Sequence, residues 1–104
     1  MTLEEIKALV LTADATAEHY ESSHTSESAY TVWREYKRLP ATADNRHIEG
    51  WAFQVDRYTK DEFDATAAAL FDTLDGSDRV AVHYEVDHEP DTGYIHHIYD
   101  CEAM

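Results

Sequence analysis

Residues 59–76, TKDEFDATAAALFDTLDG, constrain the fold more than any other part of the chain. Phe63, Ala67, Leu70, Phe71 and Leu74 fall at i, i+4, i+7, i+8 and i+11, one stripe of a helix with 3.6 residues per turn. Thr59 and Glu62 fit a capping box, Asp61 and Glu62 suit the positive end of a helix, and Gly76 stands where the helix can close. A helix that is apolar along one stripe needs a surface to cover it. The segments on either side alternate with period two, so that surface is expected to be a sheet.

Upstream, AYTVWREYKR (29–38) places Tyr30, Val32 and Tyr36 on one face and Thr31, Trp33, Glu35 and Lys37 on the other. HIEGWAFQVDRY (47–58) sets Trp51, Phe53 and Val55 against Ala52, Gln54 and Asp56. Between them LPATADNR, Leu39 to Arg46, has turn chemistry and reads as an eight-residue protruding loop. Downstream, RVAVHYEVDH and GYIHHIYDCE flank the turn cluster EPDT, a second hairpin with Val80, Val82, Tyr84 and Val86 on its core face. At the start, TLEEIKALVLT carries a stripe of Leu3, Ile6, Leu9 and Val10 behind a Thr2–Glu5 capping box. The polar stretch 13–28 reads as a loop with a brief extended piece around His19 to Ser22. The order α-β-β-α-β-β predicts an α+β fold, a mostly antiparallel sheet of four to five strands with two helices packed on it.

A chain of 104 residues is the size of one domain, expected to span 1–104. With 43 % hydrophobic residues and only three Gly and two Pro, disorder is not expected. Twenty-two acids against eight bases leave a net charge of −14, which repels phosphate backbones and anionic lipid. Neither nucleic acid nor a membrane is therefore an expected partner. Cys101 is alone and needs no oxidising compartment, and residues 1–12 have neither a basic lead nor a membrane-length run, so a soluble cytoplasmic protein is expected.

Seven histidines invite a metal, yet the short spacings that build zinc sites are missing. His19 with His24, and His83 with His88, match half of a finger and have no cysteine pair to complete it. His96 and His97 are strand neighbours and point to opposite faces, so one is expected against the helix layer and the other toward solvent or another protomer. His83 can meet one of them across the hairpin only if the register permits. Cys101 lies three residues from the end, where strands fray, and reads as a small, partly buried thiol and not as a nucleophile. His83, Glu85 and Asp87 share a strand face, which is commonly a solvated salt-laced surface. The glycines are isolated, so no phosphate loop forms. No catalytic residue, cofactor site, metal site or small-molecule substrate is expected. Arg34, Lys37 and Arg38 form the one basic cluster, either a docking patch for an acidic neighbour or internally paired.

Element order together with FQVDRYTKDEFDATAAALFDTL and DTGYIHHIYDCE resembles the small tail-terminator (tail-completion, minor tail) proteins of long-tailed bacteriophages and related prophages. Gln54, Val55, Asp56 and Thr59 match that family's phrase at the end of the second strand, with Arg57 where an apolar residue is usual. Tyr94, His96, His97 and Asp100 resemble its last strand. The resemblance implies a non-enzymatic protomer that assembles as a hexameric ring at the head-proximal end of the tail tube. Its partners would be other copies, the tail-tube protein and head–tail connector proteins, met in the host cytoplasm and retained in the virion tail. Candidate interface residues are Arg34, Lys37, Arg38, Asp44, Arg46, His96 and His97. Two other functions fit the composition: an acidic decoy that mimics DNA, and a small His-dependent metal enzyme.

Overall fold

The computed structural model describes residues 1–104, the side chains of Ala41 and Ala43 excepted. Helix α1 (Leu3–Ala13) starts in the expected capping box, with the Thr2 side chain accepting from the Glu5 N–H and the Glu5 side chain accepting from the Thr2 N–H. Strand β1 (Glu18–His19) is two residues long and begins one residue earlier than expected. Long strands β2 (Ala29–Ala43) and β3 (Arg46–Thr59) precede helix α2 (Ala65–Asp75), and β4 (Val80–His88) and β5 (Ile95–Ala103) close the order. The five strands form one sheet in the order β1-β2-β3-β5-β4, antiparallel throughout except that β1 runs parallel to β2. This is the expected α+β fold.

Both helices cover one face of the sheet. Register aligns the inward residues in rows: Trp33, Val55, Tyr99 and Tyr84 in one, Glu35, Phe53, Cys101 and Val82 in the next. Ile6 and Val10 of α1 and Leu70 and Leu74 of α2 pack on these rows and are fully buried. The Tyr99 hydroxyl donates to the Ala67 carbonyl at 2.5 Å, fastening the middle of the sheet to α2. The opposite face carries Arg34, Gln54, Asp100 and His83 in one row and Val32, Asp56, Ile98 and Glu85 in another, and no helix covers it.

Four expectations are corrected. Leu39 to Arg46 is not an eight-residue loop: β2 and β3 stay paired to a two-residue turn at Asp44 and Asn45, whose φ of 52° and 62° match the turn type that continues the twist of a hairpin. The result is a two-stranded ribbon on a molecule 49 Å long and 23 Å wide. Pro40 is compatible because β2 has no strand on its outer side there, the one kind of sheet position that tolerates a residue without an N–H. Thr59 and Glu62 do not cap α2, since Thr59 still belongs to β3 and Asp64 is the N-cap, its side chain accepting from the Ala67 N–H. Phe63 consequently lies outside the helix stripe and is 84 % exposed. Cys101 does not fray, because β5 is hydrogen-bonded to β3 on one side and β4 on the other, and the thiol is 1 % exposed. Gly76 does close α2, in a right-handed conformation.

Candidate functional site

Three regions hold the chemistry-bearing residues: the ribbon, a cleft beside α2, and a polar cluster on the uncovered face.

At the base of the ribbon, a bulge between Glu35 and Lys37 reverses the alternation of β2. Lys37 therefore shares the uncovered face with Arg34, being opposite Ala52, whereas Arg38 is opposite Trp51 on the helix side. The Arg38 guanidinium lies 5.0 Å from the Trp51 ring centroid, and that of Arg34 lies 5.9 Å from Tyr36. Among the described residues none of Arg34, Lys37, Arg38 and Arg46 is ion-paired, which removes internal pairing as the account of the basic cluster. Asp44 is at the tip and Arg46 opens the return strand.

His96 and His97 point to opposite faces, as alternation requires, and neither is free. His96 stacks on Tyr58 with centroids 4.1 Å apart and places Nε2 2.7 Å from Asp56 Oδ1, which also accepts from Gln54. Tyr30 stacks on Tyr58 in turn, and Tyr94 meets both edge-on while its hydroxyl donates to the Glu27 carbonyl. This is a small satellite core under the 24–28 segment. His83 meets neither histidine, because register sets it opposite Asp100.

His97 lies on the helix side, in a cleft of about 470 Å³ lined by Phe63, Asp64, Ala68, Phe71 and Tyr84. Its Nδ1 is 2.6 Å from the Tyr84 hydroxyl. Burial lowers the His97 pKa, against the opposing charge of Asp64, which favours the neutral ring. Burial likewise raises the Tyr84 phenol. Phe63, Phe71 and Tyr84 give the cleft an aromatic wall, while Glu62, Asp64 and Asp72 on the same lining make it unsuited to an anion.

Beneath the cleft lies a buried ion cluster. Arg57 is 7 % exposed; its Nε donates to Asp64 Oδ2 at 2.8 Å, another guanidinium nitrogen to Asp64 Oδ1 at 3.2 Å, and a third to Thr31 Oγ1 at 3.2 Å. Asp14 Oδ2, at the C-cap of α1, lies 3.5 Å from the same guanidinium and has no hydrogen-bond partner of its own. Burial opposes the charged form of both acids. At Asp14 the hydroxyls of Thr16 and Thr31 and the Thr16 N–H outweigh it, with a smaller contribution from the Arg57 charge, and at Asp64 the Arg57 hydrogen bonds and charge and the Ala67 N–H outweigh it, so both sit below the ordinary carboxylate range. One arginine thus joins the end of α1, the start of α2 and the sheet. The signal in the sequence is phase: Arg57 continues the inward series of Phe53 and Val55, and an inward charge needs a partner.

The structure therefore brings together Arg57, noted in the sequence only as a departure from an apolar position, with Asp14 and Asp64, which were not singled out, and separates the candidates into the set on β2 and β3 and two unrelated histidines. Among the described residues no three His, Cys, Asp or Glu side chains converge to hold a metal ion, and no helix is long and apolar enough to cross a membrane. Burial pushes the Cys101 thiol up to about 12, with Asp100 adding to it.

No protein-family model matches the chain, and no curated protein matches it in sequence. In fold it is similar to a chain of a solved structure described as the virion of a native gene transfer agent particle: TM-score 0.61, 14 % identity, over 92 % of this chain and 83 % of that one.

Proposed function

We propose that this protein is a structural, non-enzymatic component of a phage-like particle, and that it completes the tail tube at the head-proximal end as a ring. The observation that carries the reading is the fold match over nearly the whole length to a chain of a gene transfer agent virion. The β2–β3 pair adds to it: its two-stranded end carries Arg46 beyond the rest of the sheet, next to the Arg34, Lys37 and Arg38 side chains that make no ion pair among the described residues, and this is a means of reaching a neighbour. In this reading the partners are other copies of the chain, the tail-tube protein and the head–tail connector, met in the host cytoplasm and kept in the virion tail.

The test is genetic and visual. Deleting the gene from the producing genome is expected to give tubes of uncontrolled length and heads without tails in negative-stain images, restored by a plasmid copy. Particles of normal length and normal head attachment would overturn the reading.

A further inference from the structure

We propose that the outer edge of β4 in one protomer receives the outer edge of the β2 ribbon of a second copy, so that the sheet continues from subunit to subunit. This deepens the virion reading above and rests on it. The part of β2 left free by β1 and the outer edge of β4 differ in sign. On the uncovered face β2 presents Arg34 and Lys37, while β4 presents His83, Glu85 and Asp87, with Asp100 and Glu102 on the strand behind. Pairing β4 with β4, or β2 with β2, would set like charges opposite one another, which is destabilising; only the mixed pairing brings bases to acids.

Strand direction selects the same contact. β2 and β5 run the same way and β4 runs against them, so a copy related by rotation about an axis along the strands brings its β2 antiparallel to β4, continuing the pattern of the sheet. Such a contact uses two different surfaces of each protomer, and repetition of it closes a ring when the rotation permits. The register is limited as well. β1 occupies the outer side of β2 at Val32 and Trp33, and the Tyr20 N–H bonds to the Trp33 carbonyl, so the free edge of β2 begins at Arg34. Pro40 has no N–H to offer a strand on that edge, so the pairing is confined to Arg34–Leu39, with the neighbour displaced until its Arg34–Lys37 stretch lies beside Glu85 and Asp87. On the helix side the same displacement lays the ribbon along Val86 and Tyr84, which are 52 % and 39 % exposed, at the mouth of the Phe63 cleft.

Complementary charge reversal tests this. The pairs Glu85→Lys with Asp87→Lys, and Arg34→Glu with Lys37→Glu, each make both edges of a protomer alike in sign. Sedimentation velocity on the full chain is expected to show wild type assembling with concentration, each variant weakened by about tenfold or more, and an equimolar mixture of the two assembling again, since mixed neighbours restore opposite signs at every contact. Restoration also shows that both variants fold. Wild-type assembly untouched by either reversal, a mixture that stays monomeric, or a wild type monomeric at every concentration would each overturn the contact. The first two would leave the tail-completion reading standing, because particle morphology on gene deletion tests that separately.

Discussion

Arg57 is the residue on which most of the internal electrostatics turn, and its replacement should have a signature beyond lost stability. Removing one partner from a buried ion cluster typically costs about 3–5 kcal/mol, because the remaining charges stay desolvated. Arg57→Met is expected to show such a loss by urea unfolding at pH 7. The pH dependence should also flatten. In wild type Asp14 and Asp64 have folded pKa values below the ordinary 3.8, so at pH 3–4 the unfolded chain binds more protons than the folded one and acidification destabilises. Removing Arg57 takes its charge from both acids and its hydrogen bonds from Asp64, while the Thr16 bonds to Asp14 and the Ala67 bond to Asp64 remain, so the loss of stability on acidification should become shallower. An Arg57→Met protein that keeps the wild-type slope would refute the clamp. At Cys101, burial and a pKa near 12 predict that a thiol reagent leaves the folded protein unlabelled and modifies it fully in urea; labelling under native conditions would contradict the central placement of β5. The opposed directions of His96 and His97 were legible from alternation alone. Their partners were not, because Asp56 and Tyr84 come from strands whose register no single sequence reveals.

At the scale of elements, what was legible followed from periodicity and what was missed followed from turn chemistry. Helix α1 formed in its capping box, and the sheet took its strands where period two was strong. The ribbon escaped notice because neither of its sides faces the core, so its residues carry no apolar alternation, and Pro40 reads as a breaker until β2 is known to be an edge. The false capping box of α2 has a comparable cause. Thr59–Glu62 matches the pattern, but the Thr59 hydroxyl accepts from the Asp61 N–H and the Asp61 carboxylate from the Phe63 N–H, a turn that delays the helix until Asp64, which Arg57 already holds. The ribbon should also be energetically separable from the body. Asn45 is held at φ 62°, where a β-branched residue is strained by about 1–3 kcal/mol. Asn45→Val is expected to speed amide exchange from Leu39 to Ile48 while leaving the amides of Val55 and Tyr99 protected and the global unfolding midpoint nearly unchanged. A comparable loss across the whole sheet would show instead that the ribbon and body unfold as one unit.

For the whole molecule the decisive property is how a charge of −14 is arranged, and the sequence shows its size but not its layout. Arg34, Lys37, Arg38 and Arg46 are half of the eight bases, and strand pairing gathers them on the β2–β3 hairpin, while β4 and β5 carry Glu85, Asp87, Asp100 and Glu102 toward the far edge. Two electrostatic effects then oppose each other when copies meet. Net charge repels protomers at long range, whereas the β2 and β4 edges attract at contact. Their ranges differ, so salt separates them. Raising ionic strength from about 0.01 M to 0.15 M shortens the screening length from about 30 Å to about 8 Å, which removes most of the repulsion between whole protomers but little of the attraction between side chains at hydrogen-bond distance. Self-association of the wild type is therefore expected to strengthen over that range and to weaken again toward 1 M, where contact pairs are screened as well, with the maximum read from sedimentation velocity at fixed protein concentration. The Arg34→Glu, Lys37→Glu variant has lost the attraction and is more negative in net charge than the wild type, so it should lack the maximum and remain dissociated at every salt concentration. A wild type that weakens steadily from the lowest salt upward would mean that local pairs alone control assembly and that its large negative charge has no part in restraining it.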